Sequence, residues 1–112
     1  MKSLEAVSAL KALSQETRLE IIRYLIHCGA KGAAAGEIGQ QVEATASRLS
    51  FHLSALEHAG LIASERQSRH IIYRADFERL GRLIAFLLND CCDNHPDITA
   101  CCFPNQDNQD CC

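Results

Sequence analysis

The chain has 112 residues, 47% of them hydrophobic, enough for one folded domain with a modest core and too apolar for a disordered segment. No run of eighteen apolar residues occurs, so nothing in the sequence is expected to span a membrane. Lys2, Glu5 and Lys11 interrupt the apolar start, which excludes a secretory signal and places the expected protein in the cytoplasm. The net charge of -3 hides an asymmetry: residues 1–75 hold nine Lys/Arg against seven Glu, whereas residues 76–112 hold Arg79 and Arg82 against seven acids. A mildly basic body can meet phosphate if its arginines share a face.

In chain order, Leu4, Val7, Leu10 and Leu13 recur every three residues and predict an amphipathic helix over Met1–Leu13. Ser14 is the expected N-cap of a second helix that buries Leu19, Ile22, Leu25 and Ile26 and stops near His27-Cys28-Gly29, with Gly29 as a left-handed cap. Cys28 reads as a small core residue. Lys31 to Gly36 reads as a small-residue loop, and Glu37 to Val42 as a short helix with Ile38 and Val42 inward. A stronger helix is expected from Thr45 to Ala59: Leu49, Leu53 and Leu56 face in, while Ser47, Arg48, Ser50, Phe51 and Ser54 face out, and Gly60 ends it. Short helix, tight turn and second helix form a helix-turn-helix unit.

Leu61-Ile62-Ala63 and Ile71-Ile72-Tyr73 flank the polar stretch Ser64 to His70, a hairpin whose tip carries Arg66, Arg69 and His70 but no glycine. From Asp76 a last helix is predicted, with Phe77, Leu80, Ile84, Leu87 and Cys91 in one stripe widened by Leu83 and Leu88. That stripe is broader than one small domain needs and suits pairing of two subunits, together with the first helix. Regular structure is expected to end at Pro96. The expected organisation is a domain over residues 1–92 and a flexible, cysteine-rich tail over residues 93–112.

Two segments resemble a known family. Leu10 to Ile22 (LKALSQETRLEII) is similar to the second-helix signature of ArsR/SmtB repressors, and Leu49 to Ile62 (LSFHLSALEHAGLI) resembles their recognition helix and the start of their wing. With Arg69 and Tyr73-Arg74, the resemblance covers roughly residues 4 to 90. It implies a mainly α winged helix-turn-helix with a β-hairpin wing, and a homodimer built by the first and last helices on double-stranded operator DNA. It also implies DNA contacts from Ser47, Arg48, Ser50, Phe51 and His52 on the recognition helix and from Arg66 and Arg69 on the wing. His52 borders the Leu49/Leu53 face, so a buried, satisfied histidine is the alternative at that position.

Such regulators hold inducers at different places. A Cys-x-Cys pair before the recognition helix has no counterpart here, because residues 34–41 contain no cysteine. A zinc site of Asp and His on the last helix would have only Asp90 and His95, without its spacing. Six of the seven cysteines lie in the last 22 residues, as Cys91-Cys92, Cys101-Cys102 and Cys111-Cys112. In a reducing compartment this favours metal or redox chemistry over structural disulfides. Thiolates select soft ions, and As(III) or Sb(III) takes three of them in a pyramid. The expected ligands are Cys91, Cys92 and Cys101, with Cys102 able to replace Cys101, a tail similar to that of some arsenic-responsive members. Zn(II) or Cd(II) on two cysteine pairs, or vicinal thiols that oxidise, are the alternatives. A metalloid carrier without DNA binding is a further one. No phosphate-type loop surrounds a cysteine, so an enzyme is not expected.

Overall fold

The computed structural model describes residues 1–102. Its elements are α1 (Ser3–Leu13), α2 (Glu16–Cys28), a 3-10 turn (Gly29–Lys31), β1 (Ala33–Ala34), α3 (Ala35–Val42), α4 (Ala46–His58), β2 (Ile62–Gln67), β3 (His70–Ala75), α5 (Phe77–Phe86), a π-helical turn (Leu87–Cys91) and α6 (Pro96–Cys102). The strands form one antiparallel sheet in the order β1-β3-β2. Ile21, Leu25, Ile38, Leu56 and Leu61 are its most deeply buried large side chains, drawn from α2, α3, α4 and the start of the hairpin. This is a winged helix-turn-helix, as the sequence predicts.

α1 packs through Ala6, Ala9 and Ala12, whose small side chains let the helix sit close to the body. The leucine stripe turns the other way: Leu4 is 84% exposed, and Val7 and Leu10 are also exposed. On α5, Leu83 is buried while Phe77 and Ile84 stand in solvent. α1 and α5 pack together, tied by the Arg79–Glu5 ion pair at 2.9 Å. The two helices expected to pair subunits thus carry an apolar surface that the monomer's own core leaves uncovered.

Several local expectations are corrected. Ser14 does not cap α2; its Oγ donates to the Lys11 carbonyl at 2.7 Å and closes α1, and Gln15 occupies the N-cap. α2 buries Ile22 and Leu25 as expected, but Ile21 takes the third buried place while Leu19 and Ile26 are exposed. The small-residue loop contains β1, which pairs Ala33 with Tyr73 and Ala34 with Ile72. The polar run Ser64 to His70 is mostly strand: β2 and β3 pair from Ile62–Ala75 to Gln67–His70. Only Ser68 and Arg69 are left as a turn, where Ser68 at φ 57 takes the left-handed position that glycine would favour.

The end of α5 departs furthest. The Cys92 N–H bonds the Leu87 carbonyl at 2.9 Å, five residues back, so the helix widens by one residue. Cys91 is exposed, like Phe77 and Ile84 of the same stripe, and Cys92 is half-buried. Asp93 and Asn94 both adopt positive φ and turn the chain. Regular structure then resumes, contrary to expectation, as α6: Pro96 suits the first helical position, and the His95 Nδ1 accepts from the Asp97 N–H at 3.2 Å.

Candidate nucleic-acid interface and thiol site

α4 begins at Thr45, whose Oγ1 accepts from the Arg48 N–H at 3.4 Å. Leu49, Leu53 and Leu56 are buried beneath it, and Ser47, Arg48, Ser50, Phe51 and Ser54 are exposed above. Gln15 and Thr17, at the start of α2, line the same shallow depression as Ser47, Arg48 and Phe51, and these two were not singled out from the sequence. Nothing in their spacing relates them to α4; only the tertiary fold joins them.

His52 is the exception among the expected contacts. It is 9% exposed, and its Nδ1 accepts from the Arg18 Nε at 3.1 Å. It is the buried, satisfied histidine of the two readings, though one edge of it lines the floor of the depression beside Ser47, Arg48 and Phe51. Burial lowers its pKa below the ordinary 6.5, with the Arg18 and Arg48 charges adding to the effect. A folded value below the unfolded one means that the stability from neutral His52 is full above about pH 6.5 and is lost as pH falls toward the folded value. His52→Gln, which keeps an acceptor for Arg18, is expected to remove this part of the acid-side decline in melting temperature. An unchanged decline would show that His52 does not titrate in this way.

The wing supplies Arg66 and Arg69, both exposed. Arg66 reaches only the Ser68 carbonyl, at 3.5 Å, and neither arginine has an ion pair among the described residues. Arg74, by contrast, fastens the wing to the body: its Nε donates to the Ala30 carbonyl at 2.7 Å and its Nη1 meets Glu65 at 2.9 Å. Arginine and short hydroxyl side chains, as exposed on α4 and the wing, are the groups that bind phosphates and base edges in protein–DNA interfaces.

The thiols lie at the other end of α5. Cys91, Cys92 and Cys102 are free thiols. The pKa of Cys92 is raised, first by burial, then by the adjacent Cys91 thiol and by the charge of Cys102. α6 thus returns Cys102 to the neighbourhood of the vicinal pair. Among the described residues no group of three or more His, Cys, Asp or Glu side chains is arranged to hold a metal ion, so no closed tetrahedral zinc-type site is preformed there. Cys111 and Cys112 lie outside the described residues.

The geometry defines a DNA-binding winged helix. The Helix-turn-helix domain family matches residues 13–65. The HTH-type transcriptional regulator YgaV of Escherichia coli is 36% identical over 88 residues, covering 79% of this chain and 87% of that protein. Among solved structures, an ArsR-like transcriptional regulator from Rhodococcus sp. RHA1 superposes with a TM-score of 0.71 at 29% identity, over 87% of this chain and 89% of that one. The homodimeric winged helix-turn-helix DNA-binding domain of Mb0332 from Mycobacterium bovis does so with a TM-score of 0.61 at 29% identity, over 83% and 82%. The chain belongs to the ArsR-type family of winged-helix transcriptional regulators. Its relatives are regulators rather than enzymes. No helix among the described residues is long and apolar enough to cross a membrane.

Proposed function

We propose that this regulator is a homodimeric repressor that binds operator DNA through α4 and the wing and leaves it when As(III) or Sb(III) is captured by C-terminal thiolates. The observation that carries the reading is the adjacent pair of free thiols Cys91 and Cys92 at the end of a π-widened turn, followed by α6, which carries free Cys102. Cys91 and Cys92 supply two soft ligands, and Cys102 or Cys101 supplies the third as α6 shifts. Each As–OH bond exchanges for an As–S bond, the hydroxyl leaving as water with the thiol proton. Zn(II) or Cd(II) fits less well, because two pairs of neighbouring cysteines lack the usual Cys-x2-Cys spacing.

The thiols end the helix whose Phe77 and Ile84 stand uncovered beside the α1 stripe. Reshaping that end alters how two subunits sit, and so the distance between their recognition helices, about 34 Å apart on successive major grooves. By linkage an inducer that weakens DNA binding binds the DNA-free dimer more tightly by the same factor, typically about 5–150-fold.

Native mass spectrometry of the reduced protein with arsenite is expected to show one arsenic per subunit, bound with loss of one proton per thiolate. Cys91→Ser/Cys92→Ser is expected to lose this uptake. Full uptake by that double variant would move the site elsewhere. A thiol-redox repressor is the second reading, favoured by the adjacent free thiols of Cys91 and Cys92. DNA release by a mild oxidant and indifference to arsenite would select it.

A further inference from the structure

Phe51 is 66% exposed, the one large apolar side chain among the hydroxyls and Arg48 on the outer face of α4. A solvated phenyl ring contributes nothing to the core, yet the surrounding structure holds it in place. The Arg18 guanidinium lies over its face at 5.4 Å from the ring centroid, and the His52 ring meets it edge-on at 5.9 Å. Arg18 is itself fixed from two sides. Its Nε donates to His52, and its Nη1 donates to the Ala12 carbonyl at the end of α1 at 3.4 Å. A guanidinium anchored on α1 and α4 thus holds an exposed ring on the DNA-facing helix at low entropic cost to binding.

A phenyl ring has no donor or acceptor, so it cannot answer the polar edges of guanine, adenine or cytosine. In the major groove the thymine C5-methyl is the apolar feature of a base edge. Resting on the reading of α4 as the DNA-recognition helix, we propose that Phe51 is a specificity-determining residue that packs against a thymine methyl in each half-site, with Arg18 as the residue that positions it. Ser47 and Ser54, one turn to either side on the same face, flank the ring with groups small enough to let it approach a base.

The test uses the full chain. Sites are selected from a random duplex library, and each thymine of the selected site is then replaced singly by deoxyuridine, which removes only the methyl. Wild-type protein is expected to bind about fourfold more weakly for a single such replacement in one half-site, the effect of one buried methyl-sized group. Phe51→Ala is expected to bind thymine and deoxyuridine sites alike, and Phe51→Leu to regain part of the difference. Arg18→Gln, with Phe51 intact, is expected to shrink it. If no thymine is methyl-sensitive, or if Phe51→Ala keeps the full sensitivity, the proposal is overturned while DNA binding stands. If the library yields no preferred sequence, the reading of α4 falls and the proposal with it.

Discussion

Gly32→Ala is expected to destabilise the protein by about 3 kcal/mol or more, lowering the melting temperature by over about 10 °C. Gly32 adopts φ 67 and ψ -167, a region open essentially to glycine alone. A Cβ there would lie 2.5 Å from the Tyr73 carbonyl oxygen and 2.8 Å from side-chain atoms of Ile72 and Arg74. The carbonyl belongs to β3, which pairs with β1 on one side and β2 on the other, so it cannot withdraw without disturbing the sheet that carries the wing. Gly36→Ala is the matched control. Gly36 is on α3 at an ordinary φ, with nothing within 4 Å of an added Cβ, and alanine there is expected to stabilise by about 0.5–1 kcal/mol. Chemical denaturation of both variants checks the pair; equal and small effects would mean that β1 and its approach to Tyr73 contribute little.

The combined variant Arg48→Ala/Arg66→Ala/Arg69→Ala is expected to weaken DNA binding at least about 100-fold without loss of folding stability. All three side chains are exposed, and none has an ion pair among the described residues, so truncation leaves no orphaned charge. The salt dependence carries the sharper information. For each phosphate that the variant leaves unneutralised, the slope of log K against log[salt] is expected to fall by about 0.9. Arg74→Ala separates charge from architecture: it releases the bonds to Ala30 and Glu65 and is expected to loosen the wing while the phosphates stay neutralised. Fluorescence anisotropy across a salt series measures both quantities. A triple variant with the wild-type slope would take these arginines off the DNA.

Periodicity made the helix-turn-helix legible from sequence because α4 has unbroken spacing, Leu49, Leu53 and Leu56, with Gly60 beyond its end. Where a residue had two uses, the pattern could not choose between them. Ser14 is suited to cap a helix start, yet it closes the helix before it. β1 is two alanines, too short to show alternation, and exists only because β3 lies beside it. His52 sits at the edge of the buried face, and its burial depends on Arg18, 34 residues away. The thiol site was visible as composition, but its geometry was not. A one-residue π expansion ends the regular spacing of α5 at Cys91, and α6 follows two left-handed residues, Asp93 and Asn94, types that tolerate that region but whose spacing does not announce a new helix.

The most direct test of the account is release. Reduced protein is bound to a duplex bearing its selected site, arsenite is added, and anisotropy follows the complex, with Cys91→Ser/Cys92→Ser alongside. The account predicts that arsenite weakens the wild-type complex by about 5–150-fold and leaves the double variant bound. A wild-type complex that holds its DNA with arsenic demonstrably bound, or a double variant released as readily as wild type, would contradict it.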